Sequence, residues 1–312
     1  MKTQLCLVAG GTGFLGTHLV ARLLRENYRV RVLARKPGLS PGWAAAKGRL
    51  ELIGGDAADA RVARAAMKGV RFLFLFSNSM LPAESNRSPV ADIEGNLAGN
   101  VRLLEEASRA GVEKVVFPSS GGTVYGVPKS NPIPETHATN PICSYGIVKL
   151  ATEKYLQLME KQNGLGYVVL RYGNPYGIGQ DPFRKFGVVA AFLGCLAKGR
   201  PLSMWGEGKV VRDFIYVDAA IDGTFRAFRY QGRERVFNLG SNRGTSVNHL
   251  VELLEKVTGI KSDVRHFAAR PVDVPRVVLD ISRARRELGW RPAVPLEEGI
   301  GRTWEWVRTR AS

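Results

Sequence analysis

Tyr145 and Lys149 stand four residues apart in the run Ser144-Tyr145-Gly146-Ile147-Val148-Lys149, a spacing that puts both side chains on one face of a helix. A free phenol titrates near about 10, but a fixed ammonium beside it favours the phenolate. Proton abstraction from an alcohol or sugar hydroxyl then comes within reach at neutral pH. The spacing alone also fits an ordinary amphipathic helix whose lysine snorkels to solvent. Further chemistry elsewhere in the chain decides between the two.

At the N-terminus the apolar run Leu5-Cys6-Leu7-Val8-Ala9 leads directly into Gly10-Gly11-Thr12-Gly13-Phe14-Leu15-Gly16, followed by a helical pattern through Leu19, Leu23 and Leu24. Strand, glycine turn and helix in this order form a dinucleotide-binding unit. Gly10, Gly13 and Gly16 allow a tight turn, close approach of the backbone to a pyrophosphate, and close packing of helix on strand. The N–H groups at the helix start, around Phe14 and Leu15, hold the phosphates. NAD-binding chains end the second strand with an acidic residue on the adenosine ribose, whereas here Val32-Leu33 is followed by Ala34-Arg35-Lys36. A basic pair with Arg35 at its head suits a 2′-phosphate, and an exposed Arg-Lys pair also needs no ligand. The cofactor is therefore read as NAD or NADP.

The elements that must position these residues follow from the apolar rhythm. Strand-like runs at Leu5–Ala9, Val30–Ala34, Leu50–Ile53, Phe72–Phe76, Val115–Pro118 and Tyr167–Arg171 alternate with helical stretches, which predicts an α/β fold with a doubly wound parallel sheet of Rossmann type. One long helix is expected from Asp92 to Ala110, stopped by Gly111, and a second from about Tyr145 to Gln162. The apolar face of the second is wider than one stripe requires. After Asn174 the rhythm weakens, with Pro175, Pro182, Pro201, Pro271 and Pro275 marking loops. Residues 1–173 plus about 212–242 are assigned to the dinucleotide-binding domain. About 174–211 plus 243–312 form a smaller substrate-binding domain, with helices over Thr245–Thr258 and Ile281–Leu288.

The composition excludes several classes. At 312 residues and 45% apolar content the chain is an ordinary globular protein of about two domains. Its longest apolar stretch, Val188–Ala197, is too short to span a bilayer, and with the first strand at about Leu5 no leader is expected; a cytoplasmic, membrane-free protein is expected. Cys6, Cys143 and Cys195 are scattered and show no metal-ligand spacing, so neither disulfides nor a metal is expected. The net charge of +17 is spread along the chain without a nucleic-acid module. It fits either attraction of an anionic substrate to a positive cleft or a tolerated surface composition.

On these residues the chain resembles the extended short-chain dehydrogenase/reductase family, in the nucleotide-sugar epimerase/dehydratase branch typified by UDP-glucose 4-epimerase. The likeness spans nearly the whole length. It is carried by Gly10, Gly13 and Gly16; Asp56 after the third strand; Ser119-Ser120-Gly121-Gly122-Thr123-Val124-Tyr125-Gly126; Tyr145 with Lys149; and Arg171-Tyr172-Gly173-Asn174-Pro175-Tyr176-Gly177. Trp205-Gly206-Glu207-Gly208, Arg212-Asp213-Phe214-Ile215-Tyr216-Val217-Asp218, Phe237-Asn238-Leu239-Gly240 and Leu288-Gly289-Trp290-Arg291-Pro292 continue it.

The resemblance implies that Tyr145 takes the proton of a sugar 4-hydroxyl while hydride passes to the nicotinamide, leaving a 4-keto sugar. It implies that Lys149 also holds the nicotinamide ribose and that Asp56 meets the adenine amino group. Asn174, Arg212 and Arg270 stand where the family contacts the nucleotide phosphates, with Asp273 in the same loop; Arg265 and Arg276 compete with Arg270 for that place. A homodimer built on the two long helices is implied, although burial within the chain would explain the wide apolar face equally well. The family's usual Ser or Thr three residues before Val124 is here Gly121. Thr123 is preferred as the substrate hydroxyl and Ser120 second, with strand-end capping a rival for both.

The same loop bears on reaction type. The related dehydratases carry an Asp-Glu pair where this chain has Gly122-Thr123, so dehydration loses support. A nucleotide-sugar 4-epimerase with tightly bound NAD(P) is the preferred reading. An NADPH-dependent keto-sugar reductase and a non-catalytic cofactor sensor are the alternatives.

Overall fold

Five apolar residues, Leu5–Ala9, are buried without exception, as befits a strand covered on both faces of a parallel sheet. The computed structural model describes residues 4–311, apart from 44, 45, 47, 79, 81, 185, 186, 271 and 272; Pro271 thus lies outside the described residues. In chain order the strands are β1 Leu5–Ala9, β2 Arg29–Ala34, β3 Leu50–Gly54, β4 Phe72–Leu75, β5 Lys114–Ser120, β6 Gly166–Tyr172, β7 Asn174–Tyr176, β8 Leu202–Trp205, β9 Val211–Tyr216, β10 Val236–Leu239, β11 Gly244–Ser246 and β12 Val264–Phe267. The helices are α1 Phe14–Arg25, α2 Ala60–Met67, α3 Pro82–Ser85, α4 Pro89–Asp92, α5 Gly99–Arg109, α6 Ser144–Asn163, α7 Val188–Ala197, α8 Val217–Arg229, α9 Val247–Thr258, α10 Ser282–Leu288 and α11 Leu296–Ala311. None of them is long and apolar enough to cross a membrane among the described residues.

The first compact unit comprises residues 1–124, 141–171 and 224–237. Its seven-stranded sheet runs β3-β2-β1-β4-β5-β6-β10, and the pairs from β3 to β5 are parallel, with Val8 beside Val32 and Phe74. This is the doubly wound order expected from the sequence. It reverses direction between β1 and β4, where the fold leaves a crevice at the strands' carboxyl ends. The predicted helix from Asp92 to Ala110 is resolved as α4, a π-helical turn over Ile93–Ala98, and α5. Gly111, at φ +70°, follows its last residue.

The second unit comprises 125–140, 172–223 and 238–312. In it β9 pairs in parallel with β7 and antiparallel with β11, while β8 and β12 form a parallel pair. The division differs from the sequence expectation. Residues 212–223 and 238–242 group with the second unit; β9, within the first of these stretches, forms its sheet with β7 and β11 rather than joining the seven strands. Residues 125–140 belong there too: Asn238 donates to the Ile133 carbonyl and its N–H to Glu135, and Tyr125 donates to the Asn238 side chain.

Candidate active site

The glycine turn is built by steric necessity. Gly10 has φ +79°, and a Cβ there would lie 2.6 Å from the Phe76 carbonyl and the Ser77 nitrogen. At Gly16 a Cβ would come within 2.3 Å of the Gly10 oxygen, so only glycine lets α1 seat against the turn. Gly13 is the N-cap of α1 and offers no side-chain cap, and the first turn carries no acidic residue. The N–H groups of Phe14, Leu15 and Gly16 therefore meet no intrahelical acceptor, at the positive end of the helix dipole. This arrangement fits a dinucleotide pyrophosphate. Ala34, almost fully buried, closes β2, and Arg35 and Lys36 follow it exposed. Asp56 is exposed beyond β3, one carboxylate oxygen accepting the Ala58 N–H at 2.9 Å, which leaves the other oxygen for a ligand.

Tyr145 and Lys149 lie in the first two turns of α6. The Lys149 ammonium is buried, donates to the Pro118 carbonyl at 3.0 Å, and sits 4.9 Å from the Phe117 ring centre and 5.5 Å from that of Tyr145. Burial lowers its pKa to about 8, against the raising influence of Asp92 and Glu153. The expected depression of the phenol is not present. Burial pushes the Tyr145 phenol well up, and Cys143 and Asp92 add to the shift. The same crowding that brings the ammonium under the ring limits the water that would solvate a phenolate, and the ammonium's hydrogen bond goes to a backbone carbonyl instead.

Helix α6 reaches this position through Gly146, where a Cβ would lie 2.9 Å from the Pro141 side chain and 3.0 Å from the Thr123 carbonyl. Thr123 thus stands against the start of α6, next to Tyr145. Its Oγ1 is buried and has no hydrogen-bond partner, while its N–H and that of Val124 are bonded to the Ser120 carbonyl. Ser120 itself is half-buried at the end of β5.

A clamp that the sequence reading missed holds the middle of α6. Glu153 takes a two-point ion pair from Arg171 on β6, at 2.6 and 3.2 Å, and accepts the Ser119 hydroxyl from β5. The pair is nearly dehydrated, with side chains 2% and 8% exposed. Its signal was the third member of the series Tyr145, Lys149, Glu153, each four residues on.

In the second unit Arg212 donates to the Val274 carbonyl at 2.6 Å and lies 3.9 Å from Asp273; burial lowers its pKa. The Asp273 N–H bonds to the Arg270 carbonyl. The guanidinium of Arg270 lies 3.7 Å over the Trp205 ring, which stacks on Phe267. Trp205 and Phe267 are 41% and 50% exposed, an aromatic plate with a cation upon it that the sequence reading did not single out. Arg265, by contrast, is paired with Asp263. Asn174 opens β7 with its side-chain oxygen buried and unpartnered.

Residues 6–240 match the NAD dependent epimerase/dehydratase family. The chain is 35% identical over 312 residues to the UDP-glucose 4-epimerase of Mycolicibacterium smegmatis, covering 98% of this chain and 99% of that one. It aligns with the UDP-glucose 4-epimerase of Thermotoga maritima solved with UDP-glucose at a TM-score of 0.93 and 35% identity, over 99% and 100% of the two chains. The UDP-glucose 4-epimerase of Thermus thermophilus solved in complex with NAD gives a TM-score of 0.90 and 32% identity, over 98% and 99%. With its glycine turn and its Tyr145–Lys149 helix, the chain belongs to the NAD-dependent epimerase/dehydratase family.

Proposed function

We propose that the protein is a nucleotide-sugar 4-epimerase that interconverts UDP-glucose and its C4 epimer. The observation that carries this reading is the pairing of Tyr145 and Lys149 beside an unpartnered Thr123 hydroxyl, in a loop from Ser119 to Gly126 that contains no carboxylate. Dehydration would need a further acid and base there; inversion at C4 does not. When bound, NAD supplies a two-electron acceptor that takes and returns the C4 hydrogen, and its oxidised ring adds positive charge that favours the phenolate. Tyr145 takes the proton of the C4 hydroxyl, leaving a 4-keto sugar, and gives it back after the sugar presents its other face. Lys149 stays cationic and holds the nicotinamide ribose. Thr123, ahead of Ser120, donates to the reacting oxygen. Asp56 holds the adenine end, and Gly10, Gly13 and Gly16 admit the pyrophosphate.

The substrate's diphosphate is assigned to Arg212, Arg270 and Asn174, since guanidinium forks suit phosphate oxygens. Asp273 orients Arg212. Incubation of the purified protein with UDP-glucose and NAD is expected to give the C4 epimer at a constant total of oxidised cofactor. Stoichiometric cofactor consumption would identify a reductase instead, and no product would defeat the reading. Arg35 and Lys36 add the charge that a 2′-phosphate needs, so turnover is expected with NADP too; the parallel incubation measures it.

We propose in addition a homodimer in the cytoplasm. Ile147, Tyr155 and Leu158 on α6 are 54%, 37% and 41% exposed. At 3.6 residues per turn they share one face, about half a turn from Tyr145 and Lys149. Ile93 and Val90 on the preceding segment are exposed as well. Such apolar area is covered by a second copy in this reading. The solution mass should be twice 34.2 kDa, and Leu158→Glu should halve it; a wild-type monomer at micromolar concentration would sink the proposal.

A further inference from the structure

Asp92, the last residue of α4, is fully buried. Its carboxylate accepts the Asn96 side-chain amide at 2.7 Å and the Ser144 hydroxyl at 2.8 Å. Among the described residues no Lys, Arg or His lies within ion-pair distance of it. A buried charge held only by neutral donors is costly, and an asparagine of the same shape would accept a hydrogen bond without that cost. The charge stands at a particular place. Ser144 is the first residue of α6 and the immediate neighbour of Tyr145, and its N–H is taken by the Asn86 side chain at 2.8 Å. Cys143, the N-cap of α6, makes no side-chain cap, so the start of the helix is secured by Asp92 and Asn86. The π-helical turn directly after Asp92 widens the backbone spiral there, a departure that recurs at functional positions.

We infer that Asp92 is a positioning residue for the proposed epimerisation, acting through Ser144 to fix the first turn of α6 and hence the Tyr145 hydroxyl. The inference rests on Tyr145 being the base. Among the described residues the titratable groups that face Tyr145 and Lys149 are Cys143, Asp92 and Glu153, the last paired with Arg171, while Glu84 on the adjoining α3 is exposed. Asp92 raises both the phenol and the ammonium, so removing its charge lets each lose its proton at lower pH.

The test compares Asp92→Asn, Ser144→Ala and Tyr145→Phe with wild type, measuring epimer formation from UDP-glucose as a function of pH. Asp92→Asn is expected to lower kcat about tenfold or more, the scale of a misplaced reacting group, and to move the pH–rate profile to lower pH by roughly half a unit or more. Ser144→Ala is expected to lower kcat severalfold and leave the profile in place, and the double variant should be no slower than Asp92→Asn alone. An Asp92→Asn rate within twofold of wild type overturns the inference, as does a slower rate with an unmoved profile. Should that variant fail to fold, Ser144→Ala decides: a rate within twofold of wild type overturns it. Full activity in Tyr145→Phe would instead remove the reading on which it rests.

Discussion

Tyr145→Phe should lower kcat by at least about 100-fold, the ordinary contribution of a positioned acid–base group, while NAD affinity stays within about twofold. The substitution removes one oxygen and keeps the ring whose face the Lys149 ammonium occupies at 5.5 Å, so the packing that holds Lys149 survives. Neither the glycine turn nor Asp56 touches the phenol in chain position or hydrogen bonding, and the cofactor's adenine and pyrophosphate contacts are left unchanged. Measured by product formation and by fluorescence titration of cofactor, the two effects should separate cleanly. A variant that keeps more than about a tenth of the wild-type rate would rule out Tyr145 as the base. Because burial pushes the wild-type phenol well above its ordinary value, the wild-type rate should also rise with pH through neutrality. The rise should level off as Lys149, lowered to about 8, loses its proton.

The juxtaposition of Tyr145 and Lys149 was legible in the chain because a four-residue spacing on a helix is local. So was the glycine turn, where each glycine answers to a steric demand within a few residues, and so were the strands that carry it. Their ends shifted by a residue or two at most: Val115–Pro118 became Lys114–Ser120. What the sequence could not yield depends on pairings between distant segments. Glu153 reads as one more polar residue on a helix until β6 brings Arg171 to it. Asp92 reads as a helix residue until Ser144, fifty-two positions on, donates to it. The direction of the Tyr145 shift went astray for the same reason. Proximity to Lys149 is set by spacing along one helix, but the loss of solvent is imposed by the elements packed around it, and here desolvation wins. The domain division turned on β9, whose alternation gives no hint of which strands it will pair with.

Glu153→Gln should destabilise the protein by about 3–5 kcal/mol, the cost of leaving one member of a buried ion pair uncompensated. The substitution keeps the shape and an acceptor for Ser119, but it leaves the Arg171 guanidinium, 8% exposed, without its counter-charge between β6 and α6. Solvent cannot screen a pair this deeply placed, so the discount that applies to surface ion pairs does not apply here. The thermal unfolding midpoint should fall by several degrees. Replacing both partners, Glu153→Leu with Arg171→Met, should recover most of the loss, since apolar groups of similar volume carry no desolvation penalty. The double variant should nevertheless not behave as wild type in turnover. Glu153 is one of the two carboxylates that keep the Lys149 pKa from falling further, so the pH at which the rate levels off should be lower in a protein that is otherwise stable. A single variant as stable as wild type would mean that the pair contributes nothing to the fold. A double variant whose rate levels off at the wild-type pH would mean that Glu153 serves α6 only as a clamp, and that Asp92 alone sustains the charge on Lys149.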